Sequence, residues 1–246
     1  MISSVKNEKV KTWKKLHKRK ERMHANAFLV EGFHLIEEAK ASDWEIVEII
    51  VQENMHVPAW FDNFTMEKVS ATVFQYISQT KTPQGVAAVV SIKQMDQQPV
   101  GNRMLLIDAI QDPGNLGTII RTADAAGFDG IILGNGTVDL FNDKVIRSTQ
   151  GSLFHIPLFQ ASLADEIVRL KEKGFNIWAT ALKNARKYSD VKVDEKVAII
   201  VGNEGAGVNQ ELLEIADTIV TIPIHGKAES LNVSIATGIL MYYVVK

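Results

Sequence analysis

Cysteine is absent from the 246 residues. That excludes disulfides, thiolate metal sites and cysteine nucleophiles, and it points to a reducing compartment. An excess of one charge is also missing: 27 Lys and Arg stand against 29 Asp and Glu, a formal net charge of −2. The whole chain therefore offers no global electrostatic argument for a nucleic-acid partner. The most apolar run, residues 233–245, is broken by Ser234, Thr237 and Gly238 and falls short of the ~20 residues that a bilayer crossing takes. The first residues lack the apolar core of a secretory signal. The expectation is a soluble cytoplasmic protein with no membrane partner. Several chemical signatures are missing too. Gly114 and Gly117 do not give the G-x-G-x-x-G spacing of a dinucleotide site. There is no G-x-S-x-G elbow and no Ser-His-Asp set. His225 has no second His or carboxylate at metal spacing, so no metal is expected.

What is present divides the chain in two. Its length leaves room for a large domain and a small one. Basic charge is concentrated at the front, where residues 6–22 hold nine Lys and Arg against Glu8 and Glu21. Val10, Trp13 and Leu16 recur there at spacings of three, which predicts an amphipathic helix over 5–22 with a basic outer face. Strands at 27–30, 47–51 and 86–92, with helices at 32–41 and 71–77, complete a small α/β unit over 1–92. Residues 93–103, polar with Pro and Gly, read as a linker. From residue 104 onward, apolar strands alternate with amphipathic helices, the signature of a buried parallel sheet. Strands are expected at 104–107, 130–133, 154–157, 176–180, 197–201 and 218–222. Helices are expected at 116–126, 145–151, 163–173, 209–215 and 233–244. On pattern alone, 104–246 is a Rossmann-like α/β domain.

Three loops are candidates for chemistry, since ligands in open α/β sheets collect beyond the carboxyl ends of strands. In the first, Asp112-Pro113-Gly114 makes a turn, Asn115 can cap the following helix, and Arg121 lies one and two-thirds turns further on. The second is G-N-E-G-A-G at 202–207. Its glycines allow close backbone approach, but Glu204 would repel an anion and no Lys-Ser/Thr pair follows, so the loop suits a neutral or cationic ligand. In the third, Ser230 and Asn232 flank Leu231 ahead of the last helix, so that one can cap it while the other faces the site.

Taken together, N-L-G-T-I-I-R-T-A at 115–123, G-N-E-G-A-G at 202–207 and S-L-N-V-S-I-A at 230–236 resemble the three motifs of the SpoU branch of the SPOUT RNA methyltransferases. The front of the chain, with L-H-K-R-K and F-L-V-E-G in residues 10–32 and P-Q-G-V-A at 83–87, resembles their RNA-binding domain, similar to a ribosomal-protein L30e fold. The resemblance replaces the plain Rossmann expectation with a C-terminal domain tied in a trefoil knot, one of the rare exceptions to unknotted folds. It implies S-adenosylmethionine as cofactor and a homodimer with the site at its interface. Gly202, Ile222 and Leu231 match the cofactor contacts, with Thr180, Glu204, Gly205, Gly207 and Ser230 around them. Asn115, Arg121, Glu204, Ser230 and Asn232 match the catalytic polar set, whereas Asn203 stands where many relatives have another residue and is left outside it.

The implied reaction is methyl transfer to a ribose 2′-hydroxyl, in ribosomal RNA ahead of transfer RNA. An arginine guanidinium keeps its proton, so Arg121 is expected to act electrostatically, on a phosphate and on the developing alkoxide. Two rivals from other classes remain at this level, a non-catalytic RNA-binding module and a dinucleotide oxidoreductase. The missing fingerprint disfavours the second.

Overall fold

The computed structural model describes residues 1–93 and 101–246. It forms two compact units, Met1–Gln94 with Asp139–Phe154, and Met95–Val138 with His155–Lys246. Most of the linker expected at 93–103 falls outside the described residues.

The first unit contains α1 (Glu8–Lys15), α2 (Arg19–Ala25), β1 (Ala27–Glu31), α3 (Phe33–Ala41), β2 (Ile46–Gln52), β3 (Met66–Val69), α4 (Ala71–Ile77) and β4 (Val86–Ser91). Its sheet has the order β1-β4-β2-β3, antiparallel except for the parallel β2–β3 pair. The single helix expected over 5–22 is two helices. Leu16 closes α1 and is buried with Val10 and Trp13 against Val73, Phe74 and Ile77 of α4. The chain then extends at Lys18, and the buried Arg22 donates from Nη1 to the Leu16 carbonyl at 2.8 Å. Trp13 Nε1 donates to Glu48 at 2.7 Å. This segment is therefore part of the core, with its lysines on the outside. A carboxylate also helps to order the α4–β4 connection. Buried Glu31 accepts from Ser78, Thr80 and the Gln84 N–H at 2.7–2.9 Å.

The second unit opens with β5 (Arg103–Ile107), α5 (Pro113–Ala125) and β6 (Gly130–Leu133). The chain next supplies α6 (Asp143–Thr149) to the first unit, then continues with β7 (Leu158–Gln160), α7 (Leu163–Glu172), β8 (Asn176–Thr180), β9 (Arg186–Lys187), β10 (Val197–Val201), α8 (Gln210–Ile215), β11 (Thr218–Thr221) and α9 (Val233–Val244). The strand expected at 154–157 starts instead at Leu158 and is preceded by a 3-10 turn over Ser152–Phe154. The reason is aromatic packing inside the first unit. Phe154 stacks on Phe28 and meets Trp44 edge-on, and Phe141 lies 4.7 Å from Phe28 between ring centroids.

All seven strands of the second unit are paired in parallel, in the order β7-β6-β5-β10-β8-β11-β9. β5 and β10 are nearly or wholly buried along their lengths, as expected for strands covered on both faces. The order departs from a simple doubly wound sheet. There, the fourth strand of the unit would lie beside the first. Here that neighbour of β5 is β10, late in the chain, with β8 and β11 outside it.

Candidate functional site

The placement of β10 beside β5 brings together two loops that are far apart in sequence. The Asp108 N–H donates to Val201 O at 2.9 Å, and Asp108 Oδ2 accepts the Asn209 N–H at 2.6 Å. The loop after β5 is thereby laid along the glycine loop after β10. The glycine at 202 is required by packing: a Cβ there would come within 2.2 Å of the Gly207 and Val208 backbone, closer than atoms can approach. Asn203 and Gly207 exchange backbone hydrogen bonds at 2.9 and 3.0 Å, and Gly207 takes a φ of +74°. Asn203 Oδ1 accepts the Gly205 and Ala206 N–H groups, while its Nδ2 donates to Ala109 O at 2.8 Å.

This small ring engages most of the loop's donors. The N–H groups of Asn203, Gly205, Ala206 and Gly207 bond within the loop. The loop is therefore no anion cradle. Asn203, omitted from the expected site, is its organiser. The only sequence signal for that role was an asparagine directly after a glycine in a glycine-rich loop, a residue whose short amide readily bonds nearby backbone.

Glu204 holds the loop to the start of α5. Its carboxylate accepts the N–H groups of Gln111 at 3.1 Å and Asp112 at 3.0 Å, and Asn115 Nδ2 at 3.0 Å. Burial works to raise its pKa, but the hydrogen bonds from Asn115, Gln111 and Asp112 outweigh it and hold the carboxyl below the ordinary glutamate value. An ionised carboxylate only accepts, so Asn115 must turn its NH₂ towards Glu204 and its oxygen away. That oxygen accepts Asn232 Nδ2 at 3.0 Å, and Asn232 Oδ1 in turn caps α9 through the N–H groups of Ser234 and Ile235. One negative charge thus sets the direction of a relay that ends at a helix cap.

One cap assignment changes, and the other resolves to Asn232. Asp112, with Pro113 at the first helical position, caps α5 by accepting the Asn115 N–H at 2.9 Å, which starts the helix earlier than expected and frees the Asn115 amide for the site. Asn232 caps α9 and also joins the relay, while Ser230 is exposed. Asn115, Glu204 and Asn232 are brought together. Arg121, exposed on α5, and Ser230 lie outside this hydrogen-bonded set. Thr180, Gly202 and Ile222 stand at or just beyond the carboxyl ends of β8, β10 and β11, which are neighbours in the sheet, spaced by about 5 Å per strand. Thr180 donates to Ile200 O at 3.1 Å. Gly205 and Gly207 form the exposed rim of the glycine loop, and Leu231, 37% exposed, immediately precedes the α9 cap. Among the described residues no three His, Asp or Glu side chains are grouped to hold a metal.

Residues 102–242 match the family model described as the SpoU rRNA Methylase family. The chain belongs to this family. Residues 7–88 of this SpoU rRNA methylase match an MRM3-like substrate binding domain. Over 243 residues, and 98% of each chain, it is 47% identical to the 23S rRNA (guanosine(2553)-2′-O)-methyltransferase RlmP of Bacillus subtilis. Its fold is similar to that of an AdoMet-bound rRNA methyltransferase from Sinorhizobium meliloti, with a TM-score of 0.90, 32% identity and coverage of 99% and 96% of the two chains. It is also similar to the SpoU methyltransferase AviRb from Streptomyces viridochromogenes in complex with AdoMet, with a TM-score of 0.87, 26% identity and coverage of 98% and 97%.

Proposed function

We propose that this protein binds S-adenosylmethionine at the strand ends of its second unit and methylates a ribose 2′-hydroxyl of 23S ribosomal RNA. The observation that carries the reading is the Glu204–Asn115–Asn232 relay, which joins the three separated segments of a SpoU chain into one site. The chemistry of that site suits the cofactor. An ionised carboxylate beside a loop whose Asn203, Gly205, Ala206 and Gly207 N–H groups are already bonded favours a cation and disfavours a phosphate. Gly202, Ile222 and Leu231 would hold the cofactor, with Thr180, Gly205, Gly207 and Ser230 around it. When bound, the cofactor supplies a methyl group on a cationic sulfur, activated for transfer to oxygen.

The chain's own residues would align and stabilise. Glu204, through Asn115 and Asn232, keeps the glycine loop, α5 and the start of α9 in register, and Ser230 would orient the loop against the ribose. Arg121, exposed and positively charged, would hold the neighbouring phosphate and stabilise the charge that grows on the 2′-oxygen. The choice of 23S RNA over transfer RNA follows the name of the Bacillus relative. It also supports a cytoplasmic compartment, where the ribosomal RNA of a bacterium lies. The first unit, with lysines outside a fully packed α1, would bind the RNA. We further infer that the late insertion of β10 belongs to the trefoil knot expected from the sequence. A homodimer is supported by Leu231, Ile235 and Tyr242, which leave a row of large apolar side chains exposed at and along α9; a single-chain mass in sedimentation would remove it.

The decisive experiment pairs calorimetry with a methyl-transfer assay on a 23S transcript. S-adenosylmethionine should bind and NAD should not. Arg121→Ala and Arg121→Lys should bind the cofactor with unchanged affinity yet lose at least 100-fold in transfer, on the order of what one stabilising group contributes. Wild-type turnover in Arg121→Ala would remove Arg121 from the reaction, and absence of cofactor binding would remove the reading.

A further inference from the structure

The segment that follows β8 carries three cations in five residues, Lys183, Arg186 and Lys187, with no carboxylate between them. All three are exposed; Arg186 Nη2 donates to the Asp190 carbonyl at 3.3 Å, and none of the three pairs with a carboxylate among the described residues. Two other cations of the same unit are paired, Lys171 with Asp217 at 2.7 Å and Arg169 with Glu166 at 2.6 Å.

Two of the three charges are also held in place. Arg186 and Lys187 are β9, paired in parallel with β11 so that Arg186 lies level with Val220 and Lys187 level with Thr221. Beyond β9, Tyr243 of α9 packs edge-on against Tyr188 at 4.9 Å, and its hydroxyl donates to Ser189 O and Val191 O at 3.1 Å each. Asn184, in the connection between β8 and β9, takes the left-handed region at φ +54°. Lys187 therefore stands at the carboxyl edge of the sheet, on the same edge as Thr180, Gly202 and Ile222. Three strand spacings separate β9 from β10, a lateral distance of roughly 14 Å.

Lysine on an edge strand has an ordinary purpose, which is to stop another chain from pairing there. A loose charged strand would serve that purpose. Fixing Arg186 and Lys187 at the sheet edge by strand pairing and a tyrosine clamp adds nothing to it, but it does lower the ordering cost of binding a polyanion. We propose that Lys183, Arg186 and Lys187 form a phosphate-binding edge of the catalytic unit, which receives the backbone of the substrate RNA a few nucleotides from the ribose being methylated. The proposal depends on the RNA reading given above.

The test uses the full-length protein, a 23S RNA transcript and a salt titration, with cofactor affinity measured in parallel. The variant Lys183→Gln/Arg186→Gln/Lys187→Gln removes the charge, and Arg186→Lys/Lys187→Arg preserves it. The neutral variant should bind RNA at least tenfold more weakly at low salt. Its plot of log affinity against log salt should be shallower by about 0.7–0.9 for each phosphate that is no longer neutralised. Its cofactor affinity and melting temperature should match wild type, and the charge-preserving variant should match wild type throughout. An unchanged salt slope in the neutral variant, with wild type binding RNA normally, would leave β9 as a guarded sheet edge and overturn the proposal. A wild type that bound RNA without salt dependence would instead overturn the RNA reading itself. Weaker RNA binding accompanied by a lowered melting temperature or a changed oligomeric mass would assign these cations to packing, and would equally overturn the proposal.

Discussion

At the scale of single residues, Glu204 acts through its charge and Asn203 through its shape. As an acceptor-only group, Glu204 orients Asn115, and Asn115 orients Asn232. A glutamine at 204 could donate as readily as accept, and the direction of the relay would be lost. Because the carboxyl is held below its ordinary value in the fold, its contribution to stability is fully present above the unfolded-state value. That contribution disappears as pH falls through the folded-state value. Glu204→Gln should therefore melt lower than wild type at neutral pH, with the gap closing as pH falls below the ordinary glutamate range. A pH series of thermal unfolding measures this, and a gap independent of pH would show that the charge is not what holds the loop. The sequence made Glu204 legible, since a carboxylate between glycines has no packing purpose. Asn203 was not legible, because what it bonds depends on where the chain returns at Gly207 and Ala109.

At the scale of elements, most helices and strands were legible from period and caps, and the exceptions share a cause. The helix expected over 5–22 breaks after Leu16, and the strand expected at 154–157 slides to Leu158–Gln160. In both places a buried side chain, Leu16 or Phe154, is claimed by partners distant in sequence, and tertiary packing overrides local propensity. The same packing changes how the basic front end is to be tested. Removing residues 1–24 would strip Val10, Trp13 and Leu16 from the core. Truncations of this kind cost about 2–5 kcal/mol per large side chain, so RNA binding would fall for a trivial reason. Replacing the exposed Lys15, Lys18, Arg19 and Lys20 with glutamine avoids this. Stability should stay within about 0.5 kcal/mol per site, while RNA affinity drops and its salt slope flattens. An unchanged slope would leave α1 and α2 as solvated helices.

At the scale of the whole molecule, the first unit is not a continuous stretch of chain. Asp139–Phe154 completes it, bringing Phe141 and Phe154 to Phe28 and Trp44, and Asp139 to the buried Arg22. Breaking a buried ion pair by removing one partner costs about 3–5 kcal/mol, and the aromatic packing goes with it. A fragment of residues 1–92, the domain as the sequence delimits it, should show little near-ultraviolet circular dichroism and should bind hydrophobic dyes. Joining 139–154 to it through a flexible linker should restore a cooperative melt. A cooperative melt in the bare fragment would show that the insertion is dispensable. By itself the sequence determined the α/β class, the parallel character of the second sheet, and which three loops carry the polar residues. These follow from local apolar periodicity and from turn and cap chemistry, which act over a few residues. Only the tertiary structure decided that β10 lies between β5 and β8, that Asn203 ties the glycine loop to the Ala109 carbonyl, and that a segment from the second half completes the first unit. Each of these depends on which distant surfaces bury one another, and nearest-neighbour patterns carry no record of that choice.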